Sequence, residues 1–119
     1  MQGGRTVGLN LGGQWTDGTG MTENGICLDG RLTKISEDLT FEYDRGARMN
    51  AWRIRTVASE SIDLVFEPEF ERISESGNQD RYMNVHQMFG RYSGRIIAGG
   101  ESIELRDLFG WIEDQEARW

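Results

Sequence analysis

The single histidine, His86, is the side chain with the clearest capacity for acid–base chemistry in this sequence. It lies in the alternating stretch 82–89. If that stretch is a strand, one of its faces carries Tyr82, Asn84, His86 and Met88. Pointed into a cavity, this face would offer an imidazole, a phenol and an amide to a ligand. The alternative is a histidine that is hydrogen-bonded to neighbouring strands and has a structural role only.

A second candidate site is the glycine-rich passage from Trp15 to Asn24. Its carboxylates, Asp17 and Glu23, are candidate partners for His86, and its glycines would let backbone N–H groups approach a ligand. The spacing of the acidic residues does not match an EF-hand loop. The alternative is a tight connection across one mouth of the fold, in which Thr and Asn side chains satisfy backbone groups.

Aromatic residues are abundant enough to line an apolar pocket, with four Trp, five Phe and three Tyr. Trp15 and Trp111 are therefore candidates for ligand contact, together with the face that carries His86. Trp52 alternates with Ile54 and is expected in the core instead.

Composition excludes several other functions. With one Cys and one His, a single chain cannot form a disulfide or a zinc site built mainly from these residues, and we expect no metal and no cofactor. The formal charge of −7 and the scattered arginines disfavour binding to nucleic acid or anionic membranes. The longest apolar run, Leu108–Ile112, is too short to span a membrane. Since the N-terminus shows no signal-like apolar block, we expect a cytoplasmic protein.

The stretch 61–73 gives the strongest secondary-structure signal, because apolar and polar residues alternate along it as in a half-buried strand. The expected buried face carries Ile62, Leu64, Phe66, Pro68 and Phe70, and the expected solvent face carries Asp63, Glu67, Glu69 and Glu71. Pro68 cannot donate to a ladder and therefore predicts an edge or a bulge. Two further carboxylates, Glu113 and Asp114, are also expected at the surface.

Two dipeptides, Asp29-Gly30 and Gly99-Gly100, predict tight hairpin turns. Further strands are expected at 6–11, 26–28, 31–35, 40–43, 51–57, 81–89, 94–98, 101–105 and 108–112. The best helical segments, 44–50 and a final turn within 111–119, are short. The chain is therefore predicted to be one all-β domain over residues 1–119, an antiparallel meander that closes as a β-barrel or folds over as a sandwich.

Four stretches carry a family resemblance: Gly8–Asn24, Ser36–Leu39, His86–Gly90 and Gly110–Glu113. They resemble the C-terminal part of a bacterial family of domains of unknown function with a lipocalin-like (calycin) relationship. That family is similar to the carotenoid hydratase and tocopherol-cyclase-like double-barrel proteins. The resemblance implies a lipocalin-like barrel and an additional N-terminal β portion in longer members. It transfers no catalytic residue to this chain.

Three functions follow as hypotheses. The first is a binding module for a small apolar or amphipathic molecule. The second is a hydratase, isomerase or cyclase acting on a lipophilic substrate, with His86 and a carboxylate as acid and base. The third is a structural half that packs against an N-terminal barrel or a second copy of itself. The fold alone does not choose among them.

Overall fold

The computed structural model describes residues 4–12, 24–78 and 80–118, with the backbone alone for residues 116–118. Eight strands are present in this part of the chain, and no helix. They are β1 (Val7–Asn10), β2 (Gly25–Leu28), β3 (Arg31–Lys34), β4 (Leu39–Glu42), β5 (Trp52–Thr56), β6 (Ile62–Gly77), β7 (Tyr82–Ala98) and β8 (Glu101–Arg118). The prediction of an all-β, antiparallel architecture is confirmed.

The strands form two sheets, one with the order β1-β2-β3 and one with the order β4-β5-β6-β7-β8. At one end of the small sheet, Arg5 contacts Asp29 and also Glu101 at the start of β8. At its other end, Asn24 hydrogen-bonds to Gly12 and to the carbonyl of Glu37, just before β4. Because β4 and β8 are opposite edges of the large sheet, the small sheet crosses it from edge to edge. The described strands thus form two packed sheets instead of one closed barrel.

The core lies between the two sheets. On the large sheet, the cross-strand neighbours Ile54 and Leu64 are fully buried, as is Phe66 opposite Trp52. Ile26 of the small sheet is also fully buried and belongs to the same cluster. The expectation that Trp52 belongs to the core is confirmed, since only 2% of this residue is exposed.

Both predicted hairpins are confirmed, and their turns have the positive φ angles that such loops require. The values are 51° and 82° at Asp29 and Gly30, and 58° and 80° at Gly99 and Gly100.

The predicted helical turns are wrong. The segment 44–50 forms turns, and β8 continues as a strand to Arg118.

Two of the three longest strands, β7 and β8, each join two segments that the sequence pattern predicts as separate. The stretches 81–89 and 94–98 merge into β7, and 101–105 and 108–112 merge into β8. Gly90, which lies outside the predicted strand 81–89, is inside β7 and pairs with Gly110 of β8. Glycine weakens a strand but does not end it when neighbouring strands continue the hydrogen bonding.

A β-bulge between Pro68 and Phe70 bends β6 where Gly90 of β7 pairs with Pro68. A Cβ atom on Gly90 would lie 2.1 Å from the carbonyl oxygen of Glu67, so only glycine fits. The bulge adds one residue and shifts the alternation by one. Phe70 is therefore 54% exposed, and the prediction that it faces the core is wrong.

We expect Gly90→Ala to lower the free energy of unfolding by about 1–3 kcal/mol, because the added methyl group overpacks a rigid backbone. Gly12→Ala is the matched control, since a Cβ atom there meets nothing within 4 Å, and it should change stability by less than about 0.5 kcal/mol. Urea unfolding of both variants makes the comparison. Equal losses would contradict the close approach of β6 and β7.

The turn residue Asp29 predicts a pH dependence of stability. Hydrogen bonds from the backbone N–H of Thr6 and from Arg5 lower the pKa of the Asp29 carboxyl below its ordinary value of 3.8. A carboxyl whose pKa is lowered by folding stabilises the fold above its ordinary pKa, and this stabilisation is lost as the pH falls through the lowered value. Asp29→Asn, which tolerates the same φ, should therefore be less stable than wild type near neutrality. This difference should shrink in thermal melts below pH 3.8, and a difference independent of pH would contradict the account.

Candidate functional site

A cleft of about 460 Å³ opens between the edge of β1 and the inner face of the large sheet. One wall is the edge of β1 and the residues after it, from Val7 to Gly12, and the opposite wall is β8 from Leu108 to Gln115. Consecutive residues line both walls, so the backbone of each strand borders the cleft. The floor consists of Phe41, Tyr43, Trp52, Ile54 and Tyr92. The cleft thus has a floor of apolar and aromatic side chains, of which Phe41, Tyr43 and Tyr92 are half-buried and Trp52 and Ile54 are buried.

Aromatic packing fixes the floor. The rings of Tyr43 and Trp52 stack with centroids 3.7 Å apart and an interplanar angle of 2°. The indole N–H of Trp52 donates to the carbonyl of Arg48 at 2.9 Å, which satisfies its single polar atom. This hydrogen bond also attaches the turn between β4 and β5 to the end of the cleft.

Tyr92 connects the floor to the β8 wall. Its hydroxyl donates to the carbonyl of Trp111 at 2.7 Å, and burial raises the pKa of this phenol. Gly110 makes room for the ring, because a Cβ atom there would lie 3.0 Å from Cε2 of Tyr92. Tyr92 is therefore a hydrogen-bond donor at neutral pH, held in place by packing.

The polar end of the cleft is formed by Asp114, which is only 8% exposed. Its Oδ2 accepts a hydrogen bond from Nε of Arg48 at 2.9 Å, and Nε of Arg45 lies 3.6 Å away. Both arginines belong to the turn between β4 and β5, the same turn that receives the Trp52 indole. The cleft therefore combines an apolar floor with one carboxylate at its end, and the guanidinium groups of Arg48 and Arg45 hold that carboxylate in place.

His86 lies directly beside this polar end. It pairs with Asp114 of β8 and with Ile73 of β6 in the strand register. Its Nδ1 atom lies 3.4 Å from Oε2 of Glu71 and has no hydrogen-bond partner among the described residues, although the atom is buried. An imidazole nitrogen beside a carboxylate, both partly buried, can exchange a proton. His86 does not line the cleft itself; Asp114 stands between the two.

The structure brings together only part of the predicted site. Trp111 borders the cleft, where its carbonyl accepts the Tyr92 hydrogen bond, but its side chain lies on the outer face of β8 and is 57% exposed. Met88 is fully buried, whereas Tyr82, Asn84 and His86 are half-buried, and none of these four residues lines the cleft. The candidates Trp15, Asp17 and Glu23 lie outside the described residues.

The chain was compared with protein families, with curated proteins and with solved structures. The model of a family described as a domain of unknown function (DUF2804) matches residues 1–119. The chain belongs to this family. Neither a search of curated proteins nor a search of solved structures gave a match. For this DUF2804 chain the site must therefore be interpreted from its own residues.

Two predictions about carboxylates in the DUF2804 chain are wrong. Glu71 was assigned to the solvent face, but the bulge after Pro68 turns it to the inner face beside His86. Asp114 was expected at the surface, but it follows the buried Ile112 on the inner face of β8. The sequence contains a signal for each of these positions. A proline within a strand predicts a bulge, which reverses the face of Glu71. Asp114 is two residues after Ile112, so the two side chains lie on the same face of a strand.

Two classes of site are absent from the part of the chain that the structure describes. It contains no group of three His, Cys, Asp or Glu side chains that could hold a metal ion. It also contains no helix long and apolar enough to cross a membrane.

Asp114→Ala should lower the free energy of unfolding by about 1.5–3 kcal/mol, because it removes the acceptor of a hydrogen bond from a charged, partly buried Arg48. Asp63→Ala is the control, since Asp63 forms an exposed pair with Arg53, and it should cost less than about 1 kcal/mol. Chemical denaturation measures both. A loss at Asp63 that equals or exceeds the loss at Asp114 would contradict the structural importance of the polar end.

Proposed function

We propose that this domain binds a small apolar or amphipathic molecule in the cleft between the two sheets. The observation that carries the proposal is the cleft floor at Phe41 and Tyr43, two half-buried aromatic side chains that the small sheet does not fully cover, with Tyr43 stacked on the buried Trp52. An apolar surface that stays open to solvent inside a concave site costs free energy, and a ligand removes that cost.

The size and the chemistry of the cleft support this class of ligand. A volume of about 460 Å³ lies within the range of small-molecule sites, which are mainly apolar with a few placed polar groups. Here Asp114 supplies a polar group at one end, and Arg48 is hydrogen-bonded to it. The ligand is accordingly an elongated hydrocarbon with a hydroxyl or another polar group at one terminus. A lipocalin-like relationship, a bacterial source and a cytoplasmic location belong to the same proposal.

The test uses cis-parinaric acid, a polyene fatty acid whose fluorescence rises in an apolar environment. We expect saturable binding to the wild-type protein. Leu9→Gln changes a half-buried residue of the cleft wall. We expect it to weaken binding about tenfold, because a polar amide replaces an apolar contact equivalent to roughly two buried methylene groups.

Leu32→Gln is the matched control, because Leu32 is 73% exposed and lies outside the cleft. It should leave the dissociation constant unchanged. Thermal melts of both variants show whether the fold is retained. Equal weakening by the two substitutions, or absence of saturable binding to wild type, would contradict the proposal.

A second candidate function is a hydratase, isomerase or cyclase acting on a lipophilic substrate in the same cleft. The observation that favours it is the buried Nδ1 atom of His86, 3.4 Å from Glu71, behind the cleft-lining Asp114. In this arrangement Asp114 would exchange a proton with the substrate, and His86 and Glu71 would form a second acid–base pair next to it.

Mass spectrometry and chromatography of a co-purified lipophile, before and after incubation with the protein, test this second function. Catalysis predicts the addition of water or the formation of an isomer, and loss of the product with Asp114→Asn. Glu69→Gln, an exposed carboxylate paired with Arg91, is the control and should keep full activity. A ligand that binds and is recovered unchanged supports a binding function alone.

A further inference from the structure

The outermost strand of the large sheet is β8, and one of its edges is unpaired in the part of the chain that the structure describes. Among the described residues, no strand pairs with the side of β8 that faces away from β7. Its central stretch, Leu108–Ile112, contains neither a charged residue nor a proline, which are the features that normally protect an exposed edge from pairing. We call this stretch the β8 edge.

Exposed aromatic side chains lie directly beside the β8 edge, on the outer face of the sheet. Phe109 and Trp111 are 54% and 57% exposed, and the guanidinium of Arg91 lies 5.0 Å from the Phe109 ring centroid. Behind them the rings of Phe70 and Phe89 stack at 4.7 Å. The apolar surface is therefore continuous with the unpaired backbone.

We propose that the β8 edge is an interface at which two copies of this chain pair antiparallel about a two-fold axis at Gly110. A two-fold axis makes residues equally distant from Gly110 face each other. Phe109 then faces the partner's Trp111, and Leu108 faces the partner's Ile112. On both faces of the sheet, apolar side chains of one copy therefore contact apolar side chains of the other. At the two-fold axis the two Gly110 residues face each other, and neither has a side chain that could clash.

This self-matching sequence favours a second copy over an unrelated strand, and the flanking charges fix the register. Asp107, whose φ of 51° ends the regular strand on that side, would lie near the partner's Glu113, so that two like-charge pairs border the paired stretch and limit it to Leu108–Ile112. Each copy also carries a formal charge of −7. Salt screens the repulsion between the facing carboxylates and the repulsion between the two net charges. The dissociation constant of the dimer must therefore fall as the salt concentration rises.

Sedimentation equilibrium from micromolar to millimolar protein, at low and at high NaCl, tests the interface. The protein is first stripped of bound lipophiles, because the β8 edge also lines the cleft. We expect a monomer–dimer equilibrium that tightens severalfold with salt. The double variant Phe109→Lys/Trp111→Lys should be monomeric, whereas Phe70→Lys, an equally exposed residue of β6, should still dimerise.

The register is tested by Glu113→Lys. This substitution converts two like-charge pairs into two opposite-charge pairs and should tighten the dimer about tenfold at low salt. Glu113 otherwise contacts only Gln87 and Gln115 in the hydrogen bonds described. Hydrogen exchange at amides 108–112 should slow as the protein concentration rises.

Three results would overturn the proposal. One is a monomer at millimolar concentration in high salt, including a monomer that binds a strand of another protein. Another is a dimer that Phe70→Lys weakens as much as the β8 substitutions do, which would make the aromatic face, and not the edge, the interface. The third is a dimer that Glu113→Lys weakens or leaves unchanged.

Discussion

The close approach of two backbones, β6 at Pro68 and β7 at Gly90, is the constraint on which the rest of the structure depends. Pro68 pairs with Gly90, and Gly90 pairs with Gly110 of β8. Gly90 leaves no room for a Cβ atom against Glu67, and Gly110 leaves none without displacing the Tyr92 ring. The bulge bends β6 locally, and Gly90 lets β7 stay paired with it without a steric clash.

The same constraint determines the chemistry of the inner face of the large sheet. Before the bulge, the inner side of β6 carries Leu64 and Phe66 and forms a dry core with the small sheet. After the bulge, the alternation is shifted, and Glu71 lies beside His86. Beyond the region covered by the small sheet, the inner face therefore changes from apolar to polar. The cleft lies at this change, which gives it an aromatic floor and a charged end.

The sequence predicts much of the fold because local signals dominate it. Alternation and turn dipeptides predict the strand class, both hairpins and the burial of Phe66 without reference to distant residues. The errors share a cause. Whether Gly90 ends a strand, and which way Glu71 points after Pro68, depends on the neighbouring strand, and a single sequence does not contain that pairing explicitly. The polar end was missed for the same reason, since Arg48 and Asp114 are 66 positions apart.

Photo-crosslinking with a fatty acid that carries a diazirine near the end of its chain tests the central claim most directly, because it maps where an apolar molecule binds. Peptide mass spectrometry then identifies the labelled residues. The account predicts labels at the cleft floor and the β1 wall, at Phe41, Tyr92 and Leu9, with an excess of unlabelled fatty acid suppressing them. Labels confined to the outer face, at Phe70 and Phe89, would contradict a binding site between the two sheets.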